Sequence, residues 1–64
     1  MLTSICTAAE VIECFEHFML KNFTYTIEEL KMLPMYHKAV LLILDDTDYW
    51  ADKSLWALYD EASL

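Results

Sequence analysis

Apolar and polar positions along the chain fall into helical periods separated by short polar links. Thr7-Ala8-Ala9-Glu10 has the form of a capping box, in which a Thr hydroxyl and a Glu carboxylate each satisfy a free amide at a helix start. Val11, Ile12, Phe15, Phe18 and Met19 then share one face, while Glu10, Glu13, His17 and Lys21 fall on another. This spacing predicts a first helix from about Ala8 to Lys21, with Lys21 complementing the dipole and Asn22 near the end. Phe23-Thr24-Tyr25 is a short link. A second capping box, Thr26-Ile27-Glu28-Glu29, opens a short helix over Ile27 to Leu33, with Tyr25 and Leu30 placed for a hydrophobic staple.

The only proline, Pro34, disfavours helix geometry at Leu33 and suits the first turn of a new helix. That third helix, about 34–44, contains the longest apolar run, Ala39-Val40-Leu41-Leu42-Ile43-Leu44. Apolar residues surround its axis, which predicts a buried central helix. The same run could be a buried strand, because periodicity does not separate the two. No partner strand exists elsewhere, so the helix is preferred. Asp45-Asp46-Thr47-Asp48 forms the last turn, with Thr47 or Asp48 able to cap a fourth helix from about Asp48 to Ala62. On it, Ala51, Leu55, Leu58 and Ala62 make one stripe, flanked by Tyr49, Trp56 and Tyr59.

The chain contains no glycine. Tight hairpin turns favour Gly at positive φ, whereas links between helices do not require it. The expected fold is therefore all-α: one domain, residues 1–64, a small bundle of three longer helices plus one short helix. A domain of about 60 residues buries only roughly 60% of the surface of its unfolded chain. With 58% hydrophobic residues in so small a volume, some aromatic and aliphatic side chains should stay on the surface, and a homodimer could cover them.

Charge narrows the function. Eleven Asp and Glu stand against four Lys, with no Arg, for a net charge of −7. Nucleic acid and anionic membranes are bound through Lys and Arg, so direct binding to either is not expected. A basic protein partner is. No run reaches the 18 or so apolar residues that span a bilayer. The opening MLTSICTAAE lacks a positive n-region and meets Glu10, so no secretion signal is read and a cytoplasmic location is the default. In that setting Cys6 and Cys14 are expected as reduced, partly buried thiols, unpaired with each other.

The letters for metal or nucleophilic chemistry occur without its spacing. Cys14 and His17 lie three apart, and Cys6 and His37 could converge on them, but no CxxC or HxxxH frame is present. No catalytic residues, cofactor or metal are assigned. Without glycine there is no obvious phosphate-binding nest, and a chain this short leaves little room for a pocket of roughly 300 Å³ or more. The expectation is a binding protein, not an enzyme.

The partner-binding residues expected are Asp45, Asp46, Asp48, Tyr49, Asp52 and Trp56, acids interleaved with large aromatics. Part of that acidity serves helix N-termini, at about 0.3–1 kcal/mol per group. The remainder, with Trp and Tyr as interface anchors, suits recognition. A second acidic set, Glu10, Glu13, Glu16, Glu28 and Glu29, could extend the negative surface in the manner of a DNA mimic. The function expected is a small acidic inhibitor or regulator of a basic, nucleic-acid-binding protein, of the kind phages or mobile elements encode. The alternative is an assembly protein or chaperone that binds through apolar helix surface. Lys21-Asn22, followed by Tyr25 and Glu29-Leu30, resembles part of the Hha family of small helical nucleoid-associated proteins. That stretch is short and gapped and lacks the family's basic residues, so its function is not carried over.

Overall fold

In a computed structural model, residues 6–64 are described; the reading of the first residues as no leader falls in part on residues 1–5, outside the described residues. Five helices follow one another: α1 (Ala8–Asn22), α2 (Ile27–Lys31), α3 (Pro34–Asp45), α4 (Thr47–Ala51) and α5 (Leu55–Ala62). Among the described residues there is no strand, and the fold is a small all-α bundle.

Both capping boxes form. The Glu10 amide donates to Thr7 Oγ1 at 3.2 Å and the Thr7 amide to Glu10 Oε1 at 2.8 Å. At α2 the reciprocal bonds between Thr26 and Glu29 are 2.9 and 3.1 Å. Asn22 closes α1 by donating its side-chain amide to the Phe18 carbonyl at 2.8 Å. α2 stops at Lys31, two residues short of the predicted end. Met32 stays helical as its C-cap, and Leu33, held extended before Pro34, serves as N-cap of α3.

The predicted fourth helix is two helices, so the bundle has three longer helices and two short ones. Asp46, not Thr47 or Asp48, caps α4, its carboxylate accepting from the Tyr49 amide at 3.2 Å. The Thr47 hydroxyl instead donates back to the Ile43 carbonyl at 2.8 Å. α4 ends in i→i−3 bonds from Asp52 and Lys53, the tightened last turn typical of a terminus. Ser54 then leaves the helix (φ −70°, ψ 152°) and its hydroxyl accepts from the Ala57 amide at 3.1 Å, starting α5.

The core is made by Val11, Phe15 and Met19 of α1, Leu30 of α2, Tyr36, Ala39 and Ile43 of α3, and Leu58 and Ala62 of α5. Ile12 and Phe18 of the predicted α1 face are only half-buried. α3 packs against all four other helices and is central in that sense. It is not buried all round, however: Tyr36, Ala39 and Ile43 fix one inward face, which leaves Leu41 (66% exposed) and Leu44 (57%) outward. Four neighbours of this size cover one side of a three-turn helix and no more. Among the described residues none has positive φ and no peptide bond is cis.

Candidate functional site

The expected contact residues lie on two separate structures. Asp45, Asp46, Asp48, Tyr49 and Asp52 are all exposed, grouped around the α3–α4 junction and the end of α4. Asp46 is also structural, since its carboxylate is the α4 cap. The Tyr49 ring meets Trp50 edge-on at 4.9 Å and lies under the Lys53 ammonium at 4.9 Å. A cation over the ring face offsets part of the local negative charge. Trp50 itself is half-buried against the core.

Trp56 belongs to a different cluster. At the start of α5 its indole packs edge-on to Phe18 at 4.8 Å and to Tyr59 at 5.7 Å, with Phe23 at 6.4 Å. Phe23 and Tyr59 stack at 5.4 Å. Such ring pairs contribute about 0.5–1.5 kcal/mol each beyond their buried area. They hold the indole in place while 52% of its surface stays open.

That open surface lines a groove of about 880 Å³ along α1, larger than the chain length suggested. Its wall is the stripe Glu10, Cys14, His17 and Lys21, spaced four, three and four residues apart, as one helix face requires. Glu13 joins the rim, and Phe18, Leu55 and Trp56 supply the apolar side. The break at Asp52–Ser54 explains why sequence reasoning missed it. A continuous fourth helix would not start a new turn at Ser54 with Leu55 and Trp56 beside Phe18. The signal was Ser54, a favoured N-cap residue three positions before Ala57.

Cys14 is exposed, not half-buried as expected, and Cys6 is half-buried; both thiols are free. Both line the groove with His17. Among the described residues no three His, Cys, Asp or Glu side chains are grouped to hold a metal ion. His37 stands on α3, edge-on to the Tyr36 ring at 5.8 Å.

The second acidic set is divided among several tasks. Glu10 and Glu29 complete capping boxes, and Glu16, half-buried, accepts a hydrogen bond from the Tyr36 hydroxyl. Burial, and then the bond to and charge of Glu16, push the Tyr36 phenol up to about 12. Glu13 and Glu28 remain as its exposed members outside caps. Among the described residues no helix is long and apolar enough to cross a membrane. The chain matches no protein-family model, no curated protein and no solved structure.

Proposed function

We propose that this chain is a stoichiometric binding protein that occludes a basic, nucleic-acid-binding partner. The observation carrying this reading is the exposed acidic and aromatic edge at 45–52, on a chain of net charge −7. Its acids steer the encounter with a positive surface, and Tyr49 adds contact area at low entropic cost. Carboxylates at this edge take the place of phosphates on the partner, which blocks nucleic acid from the same surface. The mechanism needs no cofactor and no covalent step.

The outward Leu41 and Leu44 of α3 favour a second reading, an assembly protein that buries this face against another chain or a second copy. The two readings separate by salt and by substitution. The tagged chain is incubated with nuclease-treated lysate, washed at low and then high salt, and its partner measured against variants. Under the first reading the partner is basic, leaves with salt, and binds Asp45→Asn/Asp52→Asn roughly tenfold more weakly, because exposed charges are screened. A partner that resists salt, ignores those changes and is lost with Leu41→Asn/Leu44→Asn sinks the first reading in favour of the second.

A further inference from the structure

We infer that the α1–α5 groove is a second binding site, which takes an amphipathic, Lys- or Arg-bearing helical segment of a protein partner. This rests on the reading that the partner is basic, and adds a site that reading does not contain. The wall from Glu10 to Lys21 covers eleven helical steps, about 16 Å of helix, which matches three turns of a segment lying alongside. Phe18, Leu55 and Trp56 provide a place for an apolar anchor, and the indole is held by its ring contacts before anything binds. Trp is enriched among interface hot spots, and this one keeps 52% of its surface open to a partner.

Charge decides what accompanies the anchor. Glu10 and Glu13 stand at one end of the groove and Lys21 at the other. Glu10 is partly committed to its capping box, whereas the Glu13 carboxylate makes no hydrogen bond or ion pair to another described residue. A segment whose cationic residue lies toward Glu10 and Glu13 therefore has one favoured direction in the groove. The overall field of the chain concentrates such cations near the surface. An anionic or purely apolar segment would have to desolvate Glu13 without compensation.

The test uses an acetylated, amidated peptide with Leu at helical spacing and Lys between, and a Glu/Leu peptide of the same pattern. Backbone amide and indole NMR shifts of the labelled full chain locate the contact. The expected result is that the Lys/Leu peptide alone binds and shifts the Trp56 indole with residues 10–21. Glu13→Lys weakens it roughly tenfold, while Glu61→Lys, with the same change in net charge outside the groove, changes it less than about twofold. Shifts confined to 45–52 overturn the groove site but leave the acidic-edge reading standing. Equal losses in both Lys variants, or no binding of the Lys/Leu peptide, overturn the groove. Trp56 shifts that track protein concentration without peptide assign the groove to a second copy and overturn it too.

Discussion

Tyr36 and Glu16 join α3 to α1 through one hydrogen bond at the edge of the core. Tyr36 is 8% exposed, so its hydroxyl needs a partner, and the carboxylate supplies one. Because the folded state holds the phenol up to about 12 from an ordinary 10.0, the native chain binds the proton more tightly than the unfolded one. The linked stability is present in full below about pH 10 and is lost as pH rises toward 12. Urea unfolding of Tyr36→Phe should show about 1 kcal/mol less stability at neutral pH, from the lost bond. Between pH 10 and 12 its stability should fall less steeply than that of the parent chain. An unchanged slope would show that Tyr36 does not carry this dependence. None of this was legible in the sequence, because twenty positions separate the two partners and periodicity says nothing about which polar residue meets which across a bundle.

Helix starts were more legible than helix ends. Thr7/Glu10 and Thr26/Glu29 are local patterns whose bonds close within four residues, so the sequence alone suffices to place them. The same local chemistry at Ser54 was outweighed by the apolar stripe Ala51, Leu55, Leu58 and Ala62, which keeps its spacing across the break. Periodicity reports which residues are apolar, not whether the backbone between them is continuous. Thr26→Ala should cost about 1 kcal/mol in thermal unfolding by removing one N-cap bond. Ser54→Ala should cost a similar amount, with the largest amide-exchange increase in α5. Equal exchange across α4 and α5 would mean that the Ser54 cap does not separate them.

At the scale of the molecule, five side chains carry most of the fully buried volume: Phe15, Met19, Leu30, Ile43 and Leu58. Cores of this size supply about 3–5 kcal/mol of net stability, and a large-to-alanine change in one costs about 2–5 kcal/mol. Ile43→Ala or Leu58→Ala should therefore leave much of the chain unfolded at 25 °C, as helical circular dichroism and a lost cooperative melt would register. A cooperative melt shifted by only a few degrees would mean that the core is larger than these residues. The all-α class and the central place of α3 were readable from pattern and from the lack of glycine. The open face at Leu41 and Leu44 and the groove at Trp56 were not, because both depend on how few neighbours a short chain can wrap around one helix. That lack of glycine also acts before folding begins. No described residue needs a positive φ, and without glycine the unfolded chain explores fewer conformations than a glycine-bearing one and has less freedom to surrender. A domain with so small a core thus starts nearer to its folded state, and placing glycine in its links should widen the denatured ensemble and lower stability without disturbing one native contact.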